Sequence, residues 1–221
     1  MLSDFSKAAN EIGATTKKSV KERVLADYLV TLDDASLERA VVFFSGAPFP
    51  RREQRVTGVG WSTIADAVAE ASGKSLDELW EIYPKYADLG DAVAELYGDA
   101  QGDVTLSEVG ETFDSLAAAS GPADKERVLV ELLRKVNGQG ARFIVKILQS
   151  EVRIGLQEGL VESAIAKAFG RELDAVRRAN MFTGDIGAAA QRFQRALALD
   201  RVDARDVEAR VAALRPDGRS R

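Results

Sequence analysis

Apolar residues return every three or four positions along nearly the whole chain, as at Val24, Leu25, Tyr28, Leu29 and Leu32 and again at Val128, Leu129, Leu132, Leu133 and Val136. That spacing lays one apolar stripe along an α-helix. Alternating apolar and polar runs of the kind a half-buried strand needs are absent, and alanine-rich stretches such as Ala65 to Ala71 favour helix. The pattern predicts an all-α fold.

The pattern also repeats. Lys21-Glu-Arg-Val-Leu25 returns as Lys125-Glu-Arg-Val-Leu129, 104 positions later. Further on, Gly58, Ala67, Ala71, Gly73, Leu76, Asp77, Asp88, Gly90 and Ala92 recur as Gly155, Ala164, Ala168, Gly170, Leu173, Asp174, Asp185, Gly187 and Ala189, all at an offset of 97. A register held over so many positions points to an internal duplication. The change of offset amounts to seven extra residues in the first copy, and it falls in the loop Pro48-Phe-Pro-Arg-Arg-Glu-Gln-Arg-Val-Thr57, where insertions are tolerated. The expected organisation is one domain over residues 1–221. Two pseudo-symmetric helical halves occupy about 17–97 and 122–193, and a connector at 98–121 holds a short helix near Leu106 to Ala118. A C-terminal helix and polar tail fill 194–221. A pseudo-two-fold axis would suit a duplex, whose two backbones are themselves related by two-fold symmetry. The other reading of the repeat is a larger helical scaffold and nothing more.

Composition narrows the chemistry. A chain of 221 residues with 46% hydrophobic content buries a sizeable core, and it contains no cysteine and no histidine. Disulfides, thiol nucleophiles, imidazole bases and the usual zinc sites are therefore excluded. The first twenty residues scatter charges among small side chains, with neither a signal peptide nor a membrane span, so the expected location is cytoplasmic, at the nucleoid in a bacterium or archaeon. A net charge of −5 and a pI near 5.1 argue against holding DNA by bulk attraction. A nucleic-acid partner would need locally gathered cations.

Such gatherings exist. Arg51, Arg52 and Arg55 share the first-copy loop; Arg134, Lys135, Arg142, Lys146 and Arg153 run through the second copy around Asn137-Gly138-Gln-Gly140. Lys167, Arg171, Arg177 and Arg178 extend that second group. Glycine-bearing turns expected to lead into helices accompany them: Gly58-Val-Gly60, Asp88-Leu-Gly90, Arg153-Ile-Gly155 and Asp185-Ile-Gly187. A helix N-terminus presents unpaired N–H groups and a positive dipole end, and glycine lets a phosphate come close. Each turn also has a plainer reading, in which glycine sits at a helix end for steric reasons and aspartate caps the next helix. The charge runs could equally be solvated helix faces.

The stretch Ile147-Leu-Gln-Ser-Glu-Val-Arg-Ile-Gly-Leu-Gln-Glu-Gly-Leu-Val-Glu-Ser-Ala-Ile-Ala-Lys-Ala-Phe169 resembles the signature segment of the DNA-binding domain of ATP-dependent DNA ligases, in which a Leu-Arg-Ile-Gly-Leu core leads to an alanine-rich helix. Other elements follow in family order: a lysine-rich first helix from Thr15, Phe44-Ser-Gly46 before a proline-rich loop, Gly58-Val-Gly60-Trp61, Asp88-Leu-Gly90 and Asp185-Ile-Gly187. Ser150 stands where the family commonly has glycine, and Val152 replaces the leucine before Arg-Ile-Gly. The resemblance covers almost the whole chain. It implies an all-helical domain that holds nicked duplex DNA through the minor groove and both backbones, without sequence preference, as part of a ligase of repair, replication and recombination. On that implication Arg51, Arg52, Arg55, Gly58, Gly60, Gly90, Gly138, Gly140, Arg142, Lys146, Arg153, Gly155 and Gly187 are the candidate DNA contacts.

The adenylation motif Lys-x-Asp-Gly is absent from these 221 residues; Lys135-Val-Asn-Gly138 has Asn for Asp. No catalysis is therefore expected of the chain alone, and ATP and Mg would belong to nucleotidyltransferase and OB-fold domains elsewhere, on the same parent protein or a separate chain. A calcium loop at Asp99-Ala-Gln-Gly-Asp-Val-Thr lacks the glycine and glutamate that an EF-hand requires. The acid pairs Asp33/Asp34 and Asp88/Asp91 are read as caps and solvated faces, and Trp61, Trp80, Tyr83 and Tyr86 as core. The competing function is a helical protein–protein interaction module.

Overall fold

The computed structural model describes the backbone of residues 1–213 and side chains through residue 199. Among these residues there are twelve α-helices, one 3-10 turn at Arg51–Glu53 and no strand, so the chain is all-α. In order they are α1 (Leu2–Gly13), α2 (Lys18–Leu29), α3 (Asp34–Phe44), α4 (Trp61–Ser72), α5 (Leu76–Tyr86) and α6 (Leu89–Tyr97). After the loop come α7 (Leu106–Ala118), α8 (Pro122–Leu133), α9 (Gly138–Leu148), α10 (Glu158–Ala168), α11 (Leu173–Thr183) and α12 (Ile186–Ala213).

Local sequence sets several of these boundaries. Asp33 accepts from the Ser36 amide at the start of α3, and Asn137 accepts from Gly140 at the start of α9. Ser75 with Glu78, and Thr105 with Glu108, close reciprocal boxes over α5 and α7, each such cap being worth about 1 kcal/mol. Gly73 and Gly184 end α4 and α11.

The spans of α8 and α9 reproduce those of α2 and α3 shifted by 104 residues, and α10, α11 and α12 begin 97 residues after α4, α5 and α6. Packing interleaves the two series. α2 and α3 lie against α10 and α12, while α8 and α9 lie against α4 and α6. Outside the repeat, α1 packs on α2 and α9 and inserts Phe5 among Phe43, Phe44 and Phe143, with ring centroids 6.3, 4.4 and 5.8 Å away. The aspartate of the suspected calcium loop, Asp103, instead accepts from the Ser3 amide and hydroxyl and pins α1 to the connector.

Three sequence expectations change. Helix α12 runs without a break from Ile186 to Ala213, so no boundary falls at 193; the polar tail of 214–221 lies outside the described residues. The aromatic group is only partly core: Trp80 and Tyr83 pack against it, whereas Trp61 and Tyr86 are exposed, Trp61 stacking on Trp80 at 4.6 Å. Gly90 and Gly187 are buried where helices cross. A Cβ at Gly90 would meet Lys146 Cγ at 2.6 Å and the Arg142 carbonyl at 2.9 Å, and one at Gly187 would meet the Glu38 carbonyl at 2.7 Å. These glycines let α6 approach α9, and α12 approach α3. Gly90→Ala is accordingly expected to destabilise by about 1–3 kcal/mol, since the nearest atoms are backbone and inner side chain that cannot swing away. Urea unfolding followed by circular dichroism measures this, and an unchanged midpoint would refute it.

Candidate nucleic-acid interface

The four glycine turns divide into two kinds. The turns at Asp88 and Asp185 are sealed. Asp88 accepts from the Asp91 amide as the N-cap of α6, and its other oxygen receives the Lys146 ammonium at 2.7 Å, with Arg153 3.5 Å away. Lys146 is 3% exposed and also lies 3.2 Å from Asp91. Burial pushes the Asp88 carboxyl up, but the Lys146 ammonium, the Asp91 amide and Arg153 together outweigh it and hold the group below the usual carboxylate range. At the equivalent place Asp185 accepts from the Ala188 amide, and Arg52 lies 3.0 Å from its second oxygen, which is buried. Both loops thus send an arginine across to an N-cap aspartate of the other series.

The turns at Gly58 and Gly155 are open. Both glycines are exposed and left-handed, with φ of 61° and 65°, a conformation that glycine adopts without cost. Behind each lies a lysine from the repeated Lys-Glu-Arg-Val-Leu segment. Lys21 donates to the Ile154 carbonyl, and Lys125 donates to the carbonyls of Thr57 at 2.8 Å and Gly58 at 3.0 Å. Thr57 and Ile154 occupy the same place at the offset of 97. The helices that meet here, α2 with α10 and α8 with α4, have no side-chain cap at their N-termini, in contrast to α3, α5, α6, α7 and α9.

Each open turn borders a concavity. A cleft of about 660 Å3 around Gly155 is lined by Lys18, Lys21, Arg153 and Arg177 together with Thr15, Thr16 and Ser163. One of about 550 Å3 around Gly58 is lined by Arg51 and Arg55. Neither is lined by a carboxylate, although the chain has 35 acidic residues and each other described concavity includes at least one. Carboxylates sit behind some of these cations: Glu151 on Arg153, Glu162 and Asp174 on Arg177, Glu158 on Arg51, Glu53 and Asp114 on Arg55. These contacts orient the guanidinium groups, which remain exposed, Arg153 at 53% and Arg51 at 79%.

The candidate residues therefore separate. Gly58, Gly60, Gly155, Arg51, Arg52, Arg55 and Arg153 are at the surface; Gly90, Gly138, Gly140, Gly187 and Lys146 are buried, and Arg142 is largely so. A Cβ at Gly138 would meet the Ala94 carbonyl at 2.9 Å, and one at Gly140 would meet Leu2 at 3.1 Å, so these two glycines let α9 pack closely on α6 and α1. Arg142 is spent on Asp91 at 2.5 Å and Asn10 at 2.7 Å. Burial takes Lys146 out of reach of a phosphate. In the string Lys135-Val-Asn-Gly138, Gly138 packs under α6 and Asn137 caps α9. Sequence reasoning passed over Lys18, Lys21 and Lys125, which lie beside the open turns. Their signal was present: Lys21 falls in phase with Leu25 and Leu29, and Lys125 with Leu129 and Leu133, where a helix facing a core would carry an apolar residue.

The family described as DNA ligase N terminus matches residues 1–166. A probable DNA ligase of Koribacter versatilis is 43% identical over 188 residues, covering 83% of this chain and 32% of that protein. A probable DNA ligase of Opitutus terrae is 35% identical over 223 residues, with 85% and 22% covered. The DNA ligase of Methanobrevibacter smithii is 29% identical over 185 residues, with 80% and 34% covered. The chain thus spans about a third or less of the length of these relatives. Among the described residues no helix is long and apolar enough to cross a membrane.

Proposed function

Because the chain belongs to the family of DNA ligase N-terminal domains, we propose that it binds duplex DNA, nicked duplex above all, without reading sequence, as the DNA-holding part of a ligase. The observation that carries this reading is the pair of open glycine turns at Gly58 and Gly155, each beside a concavity lined by cations and by no carboxylate. Local concentration of this kind reconciles phosphate binding with a net charge of −5. Exposed turns at equivalent places in the two helix series support a pseudo-two-fold clamp, one turn for each backbone of the minor groove. Joining ends would fall to nucleotidyltransferase and OB-fold domains of the parent protein, and nucleotide and metal would be held there.

Fluorescence anisotropy of this chain with nicked and intact duplexes of unrelated sequence tests the proposal. The expected result is binding that ignores sequence, favours the nick and weakens steeply with salt, log K falling by about 0.9 per phosphate contact for each decade of salt. Absence of binding at low salt would overturn it and favour the protein–protein module.

A further inference from the structure

Turn carbonyls hold the ammonium groups of Lys21 and Lys125, and among the described residues no carboxylate pairs with either. Lys21 is 6% exposed, its ammonium has one acceptor, the Ile154 carbonyl, and among the described residues no carboxylate pairs with it. An ammonium has three donors and a high cost of burial without a counter-charge. Lys146, the other deeply buried lysine, shows the usual solution, with aspartates on two sides. Lys21 instead faces the cleft beside Gly155, and its Nζ lies 2.7 Å from where a Cβ on that glycine would be. Lys125 stands likewise behind Gly58, its Nζ 2.5 Å from where a Cβ would be, but it is half-buried and held by two carbonyls; among the described residues no carboxylate pairs with it.

On the reading that this face holds DNA, we infer that Lys21 and Lys125 form two matched anion sites, each completed by a phosphate seated on the glycine turn in front of the ammonium. The turn carbonyl fixes the lysine from behind, and the missing side chain of glycine leaves the ammonium open to an oxyanion. The counter-charge is thus supplied by the ligand, one backbone phosphate at each turn. A side chain at Gly58 or Gly155 would fill that gap.

Lys21→Met and Lys125→Met remove the charge and keep the length of the stem. Two readouts apply to the whole chain: amide shifts of Gly58 and Gly155 on titration with inorganic phosphate, and the salt slope of duplex affinity. In the parent chain both amides should shift saturably; each Met variant should lose the shift at its own turn only, and each should flatten the slope by about 0.9. A lysine that only braced its turn would lower affinity without changing the slope, and that result, or silent amides in the parent, overturns the inference. Phosphate shifts without any duplex binding would overturn the proposed function and leave the anion sites standing. Duplex binding with unchanged slopes would do the reverse. Lys125 is only half-buried, so its variant carries the test should Lys21→Met fail to fold.

Discussion

Lys146→Met is expected to destabilise the chain by about 3–5 kcal/mol, because removing one member of a buried ion pair leaves the other charge unanswered. Asp88 is buried and Asp91 partly so, and both lose the ammonium 2.7 and 3.2 Å away. The loss also loosens the crossing of α6 on α9, since the lysine stem lies against Gly90. For a chain of this size each kcal/mol moves Tm by roughly 2–4 °C, so thermal unfolding should begin far earlier. The pH dependence carries its own sign. With Lys146 present, the Asp88 carboxyl lies below its unfolded value, so its contribution is complete above that value and fades as pH falls through the folded one. Without Lys146, burial, the largest influence on this carboxyl, pushes it upward. Acidification then helps the variant, and the gap between the two proteins should narrow towards pH ~4. A gap that is constant with pH, or a loss below about 1 kcal/mol, would contradict the role given to this pair.

Reversing one exposed cation in each open concavity, Lys18→Glu with Arg51→Glu, is expected to weaken duplex binding roughly a hundredfold at physiological salt on every sequence alike. Each substitution removes a contact and adds repulsion towards the phosphates. Neither should unfold the chain: Lys18 is solvent-facing in the first turn of α2, and the ion pair of Arg51 with Glu158 is a surface contact of small worth. Lys74→Glu supplies the comparison, since Lys74 pairs with Glu78 and lines neither concavity. If all the reversals weaken binding in proportion to net charge, bulk electrostatics suffices and the two concavities have no special part. Competition at several salt concentrations measures the difference directly.

Helix type and position were legible because they depend on short-range spacing. The connector helix falls at Leu106 to Ala118, where the apolar pattern puts it. Sorting the glycines was not legible in the same way. Gly58 shortly precedes a helix, Gly90 lies in the first turn of one, and both recur 97 residues on, yet one is exposed and the other meets a carbonyl of a helix some fifty residues away in sequence. Only tertiary contact distinguishes an opening from a crossing. Charge was half legible. Its place in a basic cluster marks Lys146 as a DNA contact, and only its position inside the apolar run Phe143 to Leu148 hints that it is buried, with its partner Asp88 set by tertiary contact. Ser150, standing where the resemblance leads one to expect glycine, adopts φ 56°, a left-handed conformation that glycine takes at less cost.

The interleaving of the two helix series bears on how the molecule is made. When the first series leaves the ribosome, α2 and α3 have only α1 and each other to pack on, for the larger surfaces they eventually cover belong to α10 and α12. Closing that contact joins residues well over a hundred positions apart, an entropic cost that delays the nucleus until the second series exists. The amino-terminal half therefore waits with the faces that α10 and α12 will cover still open, and during synthesis it rests on its own helix propensity and on the packing of α1.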